Sequence, residues 1–290
     1  MVAKSVAKAV VISLADSPRL EGFQKSNWGI DFEVFDAVDT RQGYVPEDFN
    51  VDEYKKRALK DPRPAEIGCA ISHYRVIKEF AEEPGNPGDF LLVAEDDARA
   101  VDGFLGKLNS VLSAKGKKDI VILSEPIFGS IKNLKYYAMS LTAKILPGGY
   151  RMGHYADRLA GAGLYLISRE SCVKYVAQVK KAGGVSWLAD EYNVSPSESS
   201  VELPFHVLDL QVVRPGLADW EGETTIHDIE GYNQFKQRKL AEHSTSVSGV
   251  MGILKKAKSK ANMTNILLLK DLLVVSAKDV VGKAAAKRSR

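Results

Sequence analysis

Short runs of buried-strand character recur along the chain with helical segments between them, and this alternation limits the fold more than any other feature. Residues 9–14 (AVVISL), 32–36 (FEVFD), 90–94 (FLLVA) and 119–125 (DIVILSE) read as strands. Between the second and third lie a polar helical stretch, 52–60, and an amphipathic one, 65–83. In the longer stretch Ile67, Ala70, Ile71, Tyr74, Ile77 and Phe80 recur at three- and four-residue spacing, which places them on one face of a helix. DPRP and PGNPGD bound it, as residues that cannot continue a helix should. GFLGKLNSVLSAK is a further helix, and 160–184 reads as a strand running into a helix. Residues 126–160, with Tyr136, Tyr137 and the PGGYRMGHY loop, read as irregular, and 205–217 are again rich in β-branched residues. The pattern predicts an α/β fold: a doubly wound, mostly parallel sheet with helices on both faces.

From about residue 230 the sequence becomes helical and lysine-rich, so the expected division is an α/β domain over 1–230 and an extension over 231–290. Residues 250–290 hold ten Lys/Arg against two Asp, a surplus of +8 that leaves the first 249 residues at −5 out of the overall +3. An acidic body argues against nucleic acid as a partner, while the basic, apolar-rich tail suits either an anionic membrane surface or packing on protein. Two cysteines, Cys69 and Cys172, make neither a disulfide framework nor a zinc signature, which points to a reducing cytoplasm. The opening MVAKSVAKAVVISL has too short an apolar run for a secretory leader, and no run approaches the roughly 20 apolar residues of a membrane span. The expected location is therefore cytoplasmic, with the tail able to reach the inner face of the membrane.

The third strand ends in three consecutive carboxylates, Glu95, Asp96 and Asp97. Ligands of open parallel sheets bind beyond the carboxyl ends of strands. Two like charges about 4 Å apart repel by about 4 kcal/mol at an effective dielectric of about 20, and a divalent cation reverses that sign. If strand alternation continues, Glu95 and Asp97 share a face and Asp96 points away. Hard oxygen ligands select Mn²⁺ or Mg²⁺, with phosphate oxygens completing the shell. The same acids would also serve as a solvated turn with Asp97 capping the next helix.

VVISLADSPRL, FEVFDAVDTR, AEIGCAISHYRVI and FLLVAEDDA, in this order, together with GAGLYLIS at 161–168 and Asp190–Glu191, resemble glycosyltransferase family 25. That family includes lipopolysaccharide and lipooligosaccharide galactosyltransferases and collagen galactosyltransferases. The resemblance covers about residues 8–215. It implies a GT-A type fold, a UDP-sugar donor (most often UDP-galactose), an inverting mechanism and a divalent metal on the acid-x-acid element. A glycan or lipid-linked saccharide such as lipopolysaccharide would be the acceptor.

Inverting transfer needs a neutralised leaving group, a base for the acceptor hydroxyl and a fixed donor. On that reading Glu95 and Asp97 hold the metal, with His227 as the imidazole candidate ahead of His154 and His206. Asp190 is the expected general base and Glu191 the second choice, with Trp187 before them as a platform for a sugar ring. Ser13, Arg19, Asp39, His73 and Asp96 are the donor-binding candidates. Helix capping is the competing role for Asp190, a surface ion pair for Arg19 and a hydrogen-bonded helix face for His73. The alternative function is a non-catalytic nucleotide-sugar-binding regulatory domain. A nucleotidyltransferase would want a glycine-rich loop where ADSPRL stands, and a glycosidase would need its second carboxylate across the sugar.

Overall fold

The opening apolar run forms strand β1, Val6–Ser13, buried over its last five positions, and it lies second from one edge of the central sheet. The computed structural model describes residues 5–58, 60–124, 143–154, 161–191 and 208–220. All of these belong to one compact unit, Met1–Lys132 with Thr142–Gly222. The expected extension over 231–290, and with it the tail helix, lies outside the described residues.

The other strands of the central sheet are β2 (Glu33–Asp36), β3 (Phe90–Glu95), β5 (Ile120–Ile122), β6 (Lys144–Ile145), β7 (Arg151–Gly153), β8 (Leu164–Ser168) and β9 (Leu210–Arg214). Their spatial order is β2-β1-β3-β8-β5-β9-β7-β6. β1 is parallel to β2 and β3, and β5 is parallel to β9. β8 runs antiparallel to both β3 and β5, β7 to β9, and β6 to β7. Six of the eight strands therefore share one direction, and the mostly parallel sheet is present with β7 and β8 reversed. Two further strands, β4 (Ala98–Ala100) and β10 (Ala218–Trp220), form a separate antiparallel pair.

Part of the stretch read as irregular is a hairpin. β6 and β7 are joined by a turn at Pro147–Gly149 in which Gly148 and Gly149 have φ of 80° and 82°. Only glycine takes two such values in succession without strain, and the Leu146 amide donates to the Tyr150 carbonyl at 2.7 Å.

The helices are α1 (Arg19–Lys25), α2 (Val51–Ala58), α3 (Pro64–Glu82), α4 (Phe104–Ser113) and α5 (Arg169–Lys181). Helix α1 is a difference from the expectation of a turn after β1. Its seven residues form around Phe23, which is buried against Trp28 with ring centroids 4.8 Å apart. Helix α3 begins at Pro64, where a missing N–H costs nothing, and the Glu66 carboxylate accepts the Arg63 amide at 2.8 Å. All six of its expected apolar positions, Ile67 to Phe80, are buried.

One sheet face presents Val11, Leu92, Ala94, Val121, Leu164 and Leu166 to a core closed by Phe23, Phe104 and Leu108 of α1 and α4. Alternate strand residues face the other way; there α3 packs on β1 and α5, and α5 on β8. Tyr165 lies between Leu164 and Leu166 in sequence and reaches His73 of α3, which fixes the direction of that second face. No described helix is long and apolar enough to cross a membrane.

Candidate functional site

The three acids lie where the chain passes from the central sheet to the small one: β3 ends at Glu95, β4 starts at Ala98, and Asp96–Asp97 is the turn. Strand alternation therefore governs Glu95 and stops there. Asp96 does not point away, as alternation would have it, because the turn draws it inside. Its Oδ2 accepts from the Ser13 hydroxyl of β1 at 2.8 Å, and its Oδ1 lies 2.9 Å from Arg19 Nη2 at the start of α1. Asp97 is also buried, but among the described residues its nearest cation is Arg19 Nη1 at 3.9 Å, and its buried Oδ1 has no hydrogen-bond partner there. Burial, then the neighbouring Glu95 charge, push the Asp97 carboxyl up to about 7.

Glu95 faces α3. Its Oε1 is 3.0 Å from His73 Nε2 and accepts from Cys69 Sγ at 3.5 Å. Burial is the largest single influence and opposes its charge, but the hydrogen bond and charge of His73, the Cys69 hydrogen bond and the Arg19 charge together outweigh it and hold Glu95 below the usual carboxylate range. The second ring nitrogen of His73 meets the Tyr165 hydroxyl at 2.9 Å, with the two rings stacked 5.6 Å apart. Cys69 and His73 are four residues apart, so one helix face delivers both to the same carboxylate.

The rest of GCAISH holds the loop after β2. A Cβ on Gly68 would stand 2.5 Å from the Val38 carbonyl oxygen, so this close approach is open only to glycine. Ser72 Oγ accepts the Val38 amide at 2.8 Å and donates to the Gly68 carbonyl at 2.7 Å. The segment thus joins the β2 loop, the end of β3 and the middle of β8. Its residues are bonded to one another's neighbours rather than spread along a surface.

Asp190 follows α5. Its Oδ2 accepts the Gly161 amide at 3.1 Å. Burial, and after it the charges of Glu191 and Glu95, raise its pKa to about 6 against the pull of the Gly161 bond. The Asp190 and Asp97 charges also help raise the Cys69 thiol, whose shift is mainly due to burial. Asp190 therefore sits within electrostatic reach of the acid turn. Glu191 is committed elsewhere: its Oε2 is 2.5 Å from Arg57 Nη2 and accepts the Leu188 amide at 2.9 Å. Arg57 of α2 also donates to the Ser186 carbonyl at 2.8 Å, so it pins the whole WLADE segment. No sequence signal marked Arg57. Trp187 is fully buried, and its indole N–H donates to the Tyr175 hydroxyl at 3.0 Å. The expected sugar platform at Trp187 is corrected accordingly: the ring is core, filling the space beneath α5.

Asp39 lies in the loop beyond β2, at the same sheet edge. Arg41 bridges it to Asp16 beyond β1, through Nη2 to Asp39 at 2.7 Å and Nη1 to Asp16 at 2.9 Å, and this exposed pairing lowers Asp39 to about 2. His154 stands at the opposite sheet edge, beside the start of β9, with Nδ1 3.1 Å from the Leu210 carbonyl and Nε2 3.3 Å from Asp209. It is too misplaced to join the acids. His206 and His227 lie outside the described residues.

Two donor sets are relevant to a cation. Cys69, His73 and Glu95 offer ligand atoms within 4.8 Å of one another, but these atoms already serve as one another's hydrogen-bond partners. Asp97 instead offers a hard oxygen without a partner in a strongly negative surrounding. The residues present thus fit a hard divalent ion. Residues 6–191, from the first residue of β1 to Glu191, match the family model of glycosyltransferase family 25, described as an LPS biosynthesis protein. Among curated proteins none matches the chain.

Proposed function

Because the chain belongs to glycosyltransferase family 25, a family of lipopolysaccharide biosynthesis, we propose that it moves a hexose, with galactose expected, from a UDP-sugar to a saccharide acceptor with inversion. The observation that carries the metal-assisted form of this reading is the buried, unpartnered Asp97 Oδ1 at the carboxyl end of β3. Asp97 would hold Mn²⁺ or Mg²⁺, with Glu95 behind it as a fixed negative charge. Such an ion, when bound, neutralises the charge that builds on the departing diphosphate. Arg19, whose side chain is 30% exposed, is a protein cation available to the same phosphates.

Asp190 acts as general base. A carboxyl with a pKa near 6 is ionised at neutral pH yet more basic than an ordinary carboxylate, which is the compromise a base requires. It takes the proton of the acceptor hydroxyl as that oxygen attacks the anomeric carbon and the bond to the diphosphate breaks. Glu191, held by Arg57, keeps the Asp190 backbone in place. Ser13 and Asp96 hold the turn, His73 holds Glu95, and Asp39 with Arg41 forms the rim toward the nucleoside. The basic tail would carry the protein to an anionic inner-leaflet surface and a lipid-linked acceptor.

The test is nucleotide release from a panel of UDP-sugars, with and without Mn²⁺. Release confined to one sugar and dependent on metal supports the reading. Release that ignores metal removes the Asp97 site, and UDP binding without any turnover leaves the regulatory alternative.

A further inference from the structure

We propose that Arg99, which no sequence motif singled out, is a positioning residue for sugar transfer, clamping the acid turn to α1 across a glycine that must stay bare. The inference rests on the glycosyltransfer reading of that turn. Arg99 is the middle residue of β4, two positions beyond Asp97. Its Nη1 donates to the carbonyls of Asp96 and Ala98, each at 2.8 Å, and its Nη2 donates to the carbonyl of Arg19 at 3.3 Å. One planar cation thus holds the backbone on both sides of Asp97 and the first residue of α1.

Arg19 closes the loop from the other direction. Its backbone is held by Arg99, while its side chain reaches Asp96 at 2.9 Å and Asp97 at 3.9 Å. The two arginines divide the work: Arg99 fixes carbonyls, and Arg19 balances carboxylates. At the far end of α1, Ser26 Oγ accepts the Ala100 amide at 2.8 Å, so β4 and α1 are tied at a second point. A shift of α1 therefore moves the turn, and a freed turn no longer presents Asp97 at a fixed place. Errors well under 1 Å matter for a group that must meet a transferring phosphate.

Gly22 is the independent observation. A Cβ built there would lie 2.5 Å from Arg99 Nη2, 3.1 Å from Cζ and 3.3 Å from Nε. The guanidinium passes directly against this glycine in the middle of α1, Nη2 nearest. Glycine weakens a helix interior relative to alanine, so its presence here has to be explained by what it lets pass. The atoms it admits are the end of a flexible side chain. An added methyl would therefore displace the guanidinium and leave the backbone able to keep its course. Lysine is no substitute for the arginine, because a single ammonium does not reproduce a rigid planar fork.

Gly22→Ala and Arg99→Lys are compared with the wild type for nucleotide release, thermal midpoint and Mn²⁺ affinity measured without donor by paramagnetic resonance. Gly22→Ala is expected to keep or raise the midpoint while kcat falls about 10- to 100-fold, donor KM moves less than about threefold, and Mn²⁺ binds more weakly. Arg99→Lys should lose a similar factor in kcat. Wild-type kcat in either variant overturns the clamp alone. A loss lying wholly in donor KM overturns positioning in favour of direct donor contact, and a midpoint that drops in step with activity makes Gly22 a packing residue only. A wild-type chain that releases no nucleotide from any UDP-sugar overturns the functional reading, and the clamp with it.

Discussion

Replacing Asp97 by Asn keeps the shape of the side chain and removes its charge, and the two effects should move stability and activity in opposite directions. In the folded protein the carboxyl is pushed up to about 7, against 3.8 for an ordinary aspartate. At about 1.4 kcal/mol per unit, ionising it in place costs about 4 kcal/mol. The folded pKa is raised, so between about pH 4 and pH 7 the native state holds a proton that the unfolded chain has lost. Wild-type stability therefore falls as pH rises through this window, and the full penalty is present above it. Asn carries no such penalty, although it gives up the attraction to Arg19 3.9 Å away, so the gain at pH 8 is up to about 4 kcal/mol. With a urea m-value of roughly 1–3 kcal/mol per molar, the unfolding midpoint of Asp97→Asn should exceed that of the wild type by on the order of 1 M at pH 8. The difference should vanish near pH 4. The measurement is made in chelator, since a bound cation would supply the missing compensation. Adding Mn²⁺ should raise the wild-type midpoint and leave that of Asp97→Asn where it was, while the variant loses nucleotide release. A variant that is equally or less stable at pH 8 would refute the claim that this turn stores uncompensated charge.

With Asp190 as base, kcat/KM should fall below about pH 6 with unit slope, since protonation removes the acceptor of the hydroxyl proton; Asp190→Asn should lower turnover about 10²- to 10⁴-fold with UDP binding retained. Tyr165→Phe leaves the buried His73 Nδ1 without its partner, which should cost about 1–3 kcal/mol in denaturant unfolding, with a few-fold loss of kcat because Glu95 is less well held. Gly68→Ala drives a Cβ to 2.5 Å from the Val38 backbone oxygen, which has no flexible side chain to yield. It should destabilise by about 1–3 kcal/mol or more, in contrast to Gly22→Ala, and thermal denaturation of the two variants compares them directly.

The elements that were legible in the sequence are those whose burial pattern is set within a few residues. The α3 face from Ile67 to Phe80 follows from three- and four-residue spacing, and FLLVA and DIVILSE follow from continuous apolarity, the mark of a strand covered on both sides. Direction was not legible. Nothing in GLYLIS distinguishes a strand running with β3 from one running against it, because both bury the same residues; the choice is made by the route the chain takes from the carboxyl edge. Helix α1 and strands β4 and β10 were missed because each is short and exists through partners distant in sequence: Phe23 on Trp28, and Ala98–Ala100 on Ala218–Trp220.

At the site, the acids at the end of β3 were visible as a group, but their separate commitments were not. Glu95 to α3, Asp96 to β1 and Asp97 to neither is a division created by a two-residue turn that ends strand alternation. Arg57 and Arg99 were invisible for a further reason. Both hold backbone carbonyls, which every residue has, and the carboxylate that Arg57 also pairs with lies far along the chain, so no local motif records them.

The insertion of β8 between β3 and β5 has a consequence for biogenesis. When the nascent chain has delivered β1, β2 and β3, the hydrogen-bonding flank of Phe90–Ala94 on the far side from β1 has no mate until Leu164–Ser168 leaves the ribosome. The segment carrying the acid turn is thus the last of the early strands to be sealed. A polypeptide stopped before residue 164 would expose an apolar edge and invite intermolecular pairing, so this enzyme should tolerate neither an early stop nor fragment complementation split at that point.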